Sequence, residues 1–447
     1  MAPFGDALSL LGDLIGRAKK AGADAADAVL FEGASVSHAQ RLGKVEKLER
    51  AEGYDLGLRV LIGKKQAIVS SNDRSKDALA ELVARAVAMA NAVPADPYCG
   101  LADPAELAHD WPELALDDPA EPLPETLIER ARAAEGAARA VPGVTNSEGA
   151  EASWQRSSVA LVASNGFAGS YTGTNHYIGV SVLAGTGTNM EVDSDFSTAA
   201  WAEDLLDPEA VGKSAGERAV KRLNARKVPT CQVPVVFDPR VAGSMLRHLV
   251  GAISGPSIAR GTSFLKDKLG ERIFPAGIAI IDDPHRRRGL RAKPFDGEGV
   301  ANQRRALVED GVLKTWLLDL RSARQLGLRS TGHASRGTSG PPGPAPTNLY
   351  LEPGAITARE LISDISRGFY VGELMGMGVN GVTGDYSRGA AGFWIENGAL
   401  AFPVSELTIA GNLNDMFARL IAADDLEFRT GSDSPTLRID DLTVAGS

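Results

Sequence analysis

The chain has 447 residues, of which 44% are hydrophobic and 23% charged. At about 150 residues a domain, this length predicts roughly three domains, or two large ones. The net charge of −10 disfavours nucleic-acid binding, because phosphate recognition needs a dense basic surface. Two cysteines far apart in sequence are typical of a reducing cytosol. With no signal peptide and no long apolar run, we expect a cytoplasmic protein without a membrane segment.

The first half predicts helices alternating with groups of strands. We expect helices at residues 6–21, 75–91 and 125–140, separated by strands at 26–37, 44–50 and 56–71 and an exposed connection at 94–125. Residues 153–174 predict a β-hairpin, because Asn165-Gly166 suits a type I′ turn. A strand at 177–184 follows, and Asp207-Pro208 begins a helix that extends to about residue 223.

A domain boundary is expected at residues 225–230, which divides the chain into domains 1–228 and 229–447. The second half begins with a strand at 233–237 and a helix at 241–253. It continues with short strands, a second type I′ hairpin at Asn397-Gly398, and short helices at 358–365 and 412–421. Residues 336–348 predict a surface loop or mobile lid. This order favours an α+β protein with two domains: an N-terminal α/β domain with a mixed or antiparallel sheet, and a β-rich C-terminal domain. The remaining strand candidates are 277–282, 306–309, 312–319, 349–351, 392–396 and 400–404.

Two familiar motifs occur in the wrong structural context. Residues 212–216 match the G-x-S-x-G nucleophile motif but lie inside a predicted helix, whereas the motif requires a turn between a strand and a helix. Residues 376–381 match G-x-G-x-x-G but precede turn and strand residues, not the helix that would bind a pyrophosphate. The six histidines show no metal-ligand spacing. None of these motifs therefore predicts an active site.

Residues 375–412 are the most unusual segment, because polar side chains of catalytic type alternate there with glycines. Glycines allow a close approach of the backbone to a ligand or to another strand. An exposed strand edge in this segment would bind an extended peptide. A compact β-meander with tight turns explains the same residues equally well.

The stretch GVTGDYSRGAAGFWIENGALAFPVSELTIAGNL resembles the C-terminal signature of the TldD/PmbA family, in particular its PmbA (TldE) branch. SVALVASNGFAGSYTGT and VVFDPRVAGSMLRHLVGAISG continue the likeness, which covers essentially the whole chain. The resemblance implies the family's fold, with a β-rich C-terminal domain of the metallopeptidase type.

The catalytic branch of this family carries H-E-x-x-x-H, and the matching positions here are changed. Arg247 stands at the first zinc-ligand position, His248 at the general-base position and Ala252 at the second ligand position. A further cysteine ligand of that branch has no counterpart after Cys231. Residues five apart on a regular helix point about 140° apart, so the original motif needs a distorted helix near Gly251. The resemblance thus implies no catalytic residue and no metal on this chain.

What the resemblance implies for function is a pseudoenzyme subunit. A TldD-type partner would hold the zinc, peptides or unfolded proteins would be the substrate, and peptidase activity is expected only from the heteromer. We expect neither nucleic acid nor membrane as a partner. Two alternatives stay open: a metal-free homodimeric peptide-binding scaffold, and an independent hydrolase using residues 385–388. The candidate peptide-binding residues are Thr383, Asp385, Tyr386, Ser387, Arg388, Arg260, Thr262 and Ser263.

Overall fold

The computed structural model describes residues 4–446, and its first half is built on one six-stranded sheet. The strands are β1 (Ala25–Arg41), β2 (Lys44–Ile62), β3 (Lys65–Ser71), β4 (Val144–Ala163), β5 (Ala168–Ala184) and β6 (Glu191–Ala199). Their order is β3-β2-β1-β4-β5-β6, so β3 and β6 form the two edges. Every neighbouring pair is antiparallel, which agrees with the expected sheet type.

Helices cover one face of this sheet, and the C-terminal half covers part of the other. The helices are α1 (Phe4–Lys20), α2 (Lys76–Ala92), α3 (Pro124–Ala140) and α4 (Pro208–Lys221). In β1, Leu30 and Val36 pack among the helices. Val29 has the opposite orientation and belongs to a cluster with Phe295 and Val300 of the C-terminal half. The alternation follows from the two-residue period of a strand.

The C-terminal half contains a closed ring of strands and a second, five-stranded sheet. Its strands are β7 (Cys231–Phe237), β8 (Ile280–Asp283), β9 (Arg305–Glu309), β10 (Val312–Leu313), β11 (Ala334–Ser335), β12 (Gly343–Pro344), β13 (Asn348–Leu351), β14 (Arg367–Val379), β15 (Asp385–Glu396), β16 (Ala399–Asn412), β17 (Leu420–Ala422), β18 (Ser432–Asp433) and β19 (Leu437–Ala445). The ring follows the order β16-β15-β14-β7-β19 and closes because β16 also pairs with β19. The second sheet has the order β10-β9-β8-β13-β18.

Short helices connect these strands, and one longer helix packs against both sheets. They are α5 (Pro239–Ile253), α6 (Gly255–Ala259), α7 (Leu320–Leu326), α8 (Ala358–Ser363) and α9 (Leu413–Ala418). In α5 the buried residues Met245, Leu246 and Leu249 recur at helical spacing and join the main C-terminal core. The α+β class is confirmed. The expected boundary at residues 225–230 lies between α4 and β7. No helix within residues 4–446 combines the length and apolar character needed to cross a membrane.

The two Asn-Gly hairpins have different turns. Asn397 and Gly398 have φ angles of 51° and 76°, as the predicted type I′ turn requires. At the first hairpin only Gly166 has a positive φ, 101°, so the hairpin is confirmed but the turn type is wrong. The loop there has three residues, because the N–H of Gly166 donates to the carbonyl of Ala163 at 3.1 Å and the N–H of Ala163 donates to the carbonyl of Phe167 at 2.9 Å. A three-residue hairpin loop needs a positive φ only at its last residue.

Two segments predicted as exposed or mobile are anchored in the structure. In the 94–125 connection, Cys99 and Leu107 are buried, and the backbone N–H of Ala108 donates to Gly299 of the C-terminal half at 3.0 Å. In residues 336–348, the buried Arg336 pairs with Asp27 of β1 at 2.6 Å. These contacts argue against a mobile lid, since opening the segment would leave buried charges unpaired.

Several strands also differ from expectation. The predicted strands 44–50 and 56–71 become β2 and β3, because β2 continues through Gly53 and the chain turns at Gly63. The strand predicted at 312–319 is limited to β10. The C-terminal strand β19 was not predicted, because Asp440 and Asp441 interrupt its apolar pattern. The structure accommodates them with a register shift and a positive φ of 58° at Asp441.

Candidate functional site

The helix that carries the changed metal motif is α5. The Asp238 side chain caps it by accepting from the backbone N–H of Arg240 at 2.9 Å, and Pro239 occupies the first turn. The helix is regular through Gly251 to Ile253, without the distortion that two ligands five residues apart would need. Arg247 is exposed, His248 is half-buried and Ala252 is buried.

His248 lies in a positively charged environment. Its ring contacts Tyr386 of β15 edge-on, with ring centroids 5.7 Å apart. Burial lowers the pKa of His248 to about 4, and the positive charges of Arg388 and Arg247 act in the same direction. Burial likewise raises the pKa of the Tyr386 hydroxyl. The histidine is therefore neutral at pH 7, and two guanidinium groups influence it.

These residues do not fit a zinc ion. Zinc needs three or four nitrogen, sulfur or oxygen donors, and Arg247 and Ala252 supply none in the two ligand positions. Within residues 4–446, no group of three or more His, Cys, Asp or Glu side chains is arranged to hold a metal. The arginines beside His248 would also repel a divalent cation. No step of a metal-dependent reaction can therefore be assigned to this helix.

Strand β15 separates the candidate peptide-binding residues onto two faces. Tyr386 and Arg388 point inward and are buried, and Arg388 Nε donates to the carbonyl of Met375 at 3.1 Å. Asp385 and Ser387 are exposed, as alternation along a strand requires. The hydroxyl of Thr383 and then the amide of Asn412 lower the pKa of Asp385 by hydrogen bonding. The five candidates do not form one cluster, because residues 385–388 alternate between the two faces of the strand.

Strand β15 also offers no free edge for an added peptide strand. It pairs with β14 from Tyr386 to Glu396 and with β16 from Asp385 to Glu396. An added peptide strand therefore cannot pair with β15. β14 pairs with β7 only from Phe369 to Val371, and β16 pairs with β19 only from Thr408 to Ala410, so the expectation stays a prediction for the rest of the 375–412 segment.

The second group of candidates, after α6, has mixed surroundings. Ser263 is buried, donates its hydroxyl to the carbonyl of Ala252 at 2.6 Å and accepts from the N–H of Leu265 at 3.0 Å. Its hydroxyl therefore stabilises the end of α5. Arg260 and Thr262 are exposed. This loop contacts the 381–385 turn, since Phe264 N–H donates to the carbonyl of Gly381 at 3.1 Å.

A charged groove beside α5 was not predicted from the sequence. Beside it, the buried Asp193 and Asp195 of β6 form ion pairs with arginines at α4, α5 and the 425–434 segment. Arg247 and Arg388 line one part of this groove together with Ser194 and Phe196. The available signal was the run Glu191, Asp193, Asp195, in which every second residue of a strand is acidic.

Three domain models of one known family match most of the chain. Residues 26–90 match PmbA/TldA metallopeptidase domain 1, residues 117–223 match the central domain, and residues 230–446 match the C-terminal domain. Individual relatives with PmbA names are similar along most of their length. The chain is 38% identical to Metalloprotease PmbA of Escherichia coli O157:H7, over 95% of this chain and 92% of the relative. It is 37% identical to a PmbA homolog of Haemophilus influenzae, over 96% and 94%.

Solved structures share the fold over the full length. A proposed modulator of DNA gyrase from Bacteroides thetaiotaomicron superposes with a TM-score of 0.90 at 26% identity, covering 98% of both chains. TldE from Thermococcus kodakarensis superposes with a TM-score of 0.86 at 21% identity, covering 98% of this chain and 100% of that one. Together with the matches along the sequence, these likenesses confirm the resemblance, and the chain belongs to the PmbA/TldD metallopeptidase family.

Proposed function

We propose that this chain is the non-catalytic subunit of a TldD/TldE-type zinc peptidase. The chemistry would reside on a TldD-type partner with an intact H-E-x-x-x-H motif, and the substrate would be a peptide or unfolded protein. The observation that carries the proposal is the pair of guanidinium groups, Arg247 and Arg388, that act on His248 at the degenerate motif. This electrostatic environment disfavours a bound cation and favours anionic groups.

The role proposed for this subunit is to shape the path of the substrate. The groove between β6 and α5 is lined by charged side chains from helices, strands and loops and is open to solvent. An unfolded chain enters such a groove more easily than a folded domain, whose backbone groups are already paired. The subunit would thereby restrict the substrate to extended polypeptide.

Reconstitution with a purified TldD-type chain tests this proposal. This chain alone, the partner alone and the mixture would be assayed on a casein-derived peptide pool, with zinc content measured in each sample. We expect zinc and the cleavable motif to belong to the partner, and full activity to appear only in the mixture. Replacing the partner's motif Glu by Gln should abolish that activity.

The other outcomes correspond to the alternative functions. Metal-independent cleavage by this chain alone would indicate an independent hydrolase. Peptide binding by a zinc-free homodimer that gives no activity with the partner would indicate a scaffold. Either result would contradict the proposed role.

A further inference from the structure

An open cleft of about 600 Å³ lies between the edge strand β6 and helix α5. Phe196 of β6, Val250 of α5 and Leu349 of β13 contribute apolar surface to it. Binding sites for small molecules and short peptides have volumes of roughly 300–1,000 Å³ and combine apolar walls with a few polar groups. The cleft therefore has the size and composition of a ligand site.

Five arginine side chains line this cleft, from elements far apart in sequence. They are Arg218, Arg240, Arg247, Arg291 and Arg429. Arginine is the side chain best suited to recognise a planar carboxylate, because its guanidinium can donate two parallel hydrogen bonds. Their convergence suggests an anionic ligand.

Three of these arginines are fixed by carboxylates of β6. Arg240 Nη1 lies 3.0 Å from Asp193 Oδ1, and Arg429 Nη2 lies 3.0 Å from Asp195 Oδ1. Arg218 forms a longer pair with Asp195, at 3.3 Å. The positive charge of these three is largely compensated within the protein, so they frame the cleft and leave the recognition of an anion to the remaining two.

Arg247 and Arg291 are the uncompensated pair. Both are exposed, and within residues 4–446 neither guanidinium has an acidic partner or a hydrogen-bond acceptor. The backbone N–H of Arg291 donates to Asn348 Oδ1 at 3.0 Å, which fixes its position in the loop. These two side chains can turn their donors toward a bound ligand without breaking an existing ion pair.

Most acidic groups of the cleft are already engaged by the protein. Asp433 accepts from the backbone N–H groups of Thr430 and Gly431 at 2.8 and 3.0 Å. Asp425 accepts from the N–H and hydroxyl of Thr436 at 2.8 and 2.7 Å. Asp238 accepts from the hydroxyl of Tyr370 at 2.9 Å.

The acidic side chain that remains is the exposed Glu427. The hydrogen bonds occupy the other carboxylates but leave their charge, so the preference for an anion comes from Arg247 and Arg291, whose guanidinium donors are free.

We propose that this cleft binds the free C-terminal carboxylate of a short peptide, with Arg247 and Arg291 as its ligands. An α-carboxylate is attached to the same carbon as the last side chain, so the arginines and the apolar surface of Phe196 and Val250 recognise neighbouring groups. The peptide nature of the ligand rests on the proposed function. The carboxylate preference rests on the free guanidinium donors of Arg247 and Arg291.

Equilibrium binding of a defined peptide to the full chain tests this inference. The probe is fluorescein-labelled Ala-Ala-Ala-Leu with a free C-terminus, followed by fluorescence anisotropy, and the comparison ligand is the same peptide with a C-terminal amide. We expect amidation to weaken binding about tenfold. Arg247→Gln and Arg291→Gln should each weaken binding of the free peptide by a similar factor and leave the amide unchanged. Arg359→Gln, at an exposed position on α8, is the matched control and should change neither.

Three results would overturn the inference. They are equal affinity for the free and amidated peptides, no measurable binding of either, and tight binding of amidated Ala-Ala-Ala-Asp, which would assign the site to acidic side chains. Thermal unfolding of each variant verifies that the fold is retained. Failure here is distinguishable from failure of the proposed function, because association with a zinc-bearing partner is measured separately and does not require the carboxylate site.

Discussion

At the scale of the residue, the main feature of the changed metal motif is the positive charge around His248. His248 remains on the helix, but its partners are Tyr386, Arg247 and Arg388 instead of a metal and its ligands. Its Nε2 and the Tyr386 hydroxyl are buried without a hydrogen-bond partner among residues 4–446. Burying such groups without a partner costs free energy, and the cost is much larger when they carry a charge. A neutral imidazole beside two guanidinium groups is the environment that the proposed non-catalytic role predicts for this helix.

The titration of His248 is a direct prediction at this scale. Burial and the two arginines lower its pKa to about 4, so we expect its ring protons to show no titration in NMR spectra above about pH 5. Arg388→Gln removes one positive charge and should raise the pKa. A titration near 6.5 in the unchanged protein would contradict the predicted environment.

The lowered pKa of His248 also determines how the stability of the fold changes with pH. Between about pH 4 and the ordinary value of 6.5, the folded state binds fewer protons at His248 than the unfolded state does. Stability should therefore fall as pH decreases through this window. His248→Gln cannot titrate and should make the decrease shallower.

From the sequence, the residues at the changed metal motif could be placed on a helix, but the side chains that surround them could not be predicted. Arg247, His248 and Ala252 were placed on a helix, and α5 contains them. That Tyr386 and Arg388 face His248 while Asp385 faces solvent follows from the strand's alternation, but the strand had been predicted to begin at residue 392. The arginines of the cleft come from distant segments, so no local pattern could have grouped them.

At the scale of the element, close packing of α3 against α4 explains the false nucleophile motif. Gly212 and Gly216 lie on the face of α4 that contacts α3, and a Cβ at Gly212 would overlap the carbonyl oxygen of Ala134. The glycines thus permit close approach of the two helices. The predicted placement of the G-x-S-x-G motif inside a helix is confirmed.

Two glycines of this helix pair should respond oppositely to alanine. Gly212→Ala forces the helices apart and should destabilise the protein by about 1–3 kcal/mol. Gly136, exposed on α3 with nothing within 4 Å of an added Cβ, is the matched control. Gly136→Ala should stabilise the helix by about 0.5–1 kcal/mol. The thermal unfolding temperature of both variants tests this prediction, and equal shifts in that temperature would contradict the packing described.

At the scale of the whole molecule, the two halves are joined by buried charges and a partly buried connection. Arg59 and Arg336 both pair with Asp27 inside the interface, and Arg59 lies 3.7 Å from Glu298 of the C-terminal half. The groove between β6 and α5 depends on this arrangement. Helices, hairpins and the α+β class were predictable from local patterns. Contacts between residues hundreds of positions apart were not, because they arise only when the halves meet.

Native mass spectrometry of the tagged chain, purified from its own cells, distinguishes a heteromeric peptidase from a scaffold. We expect a complex of this subunit with a second chain of similar size that carries one zinc ion. A zinc-free homodimer would contradict it and would support a peptide-binding scaffold instead.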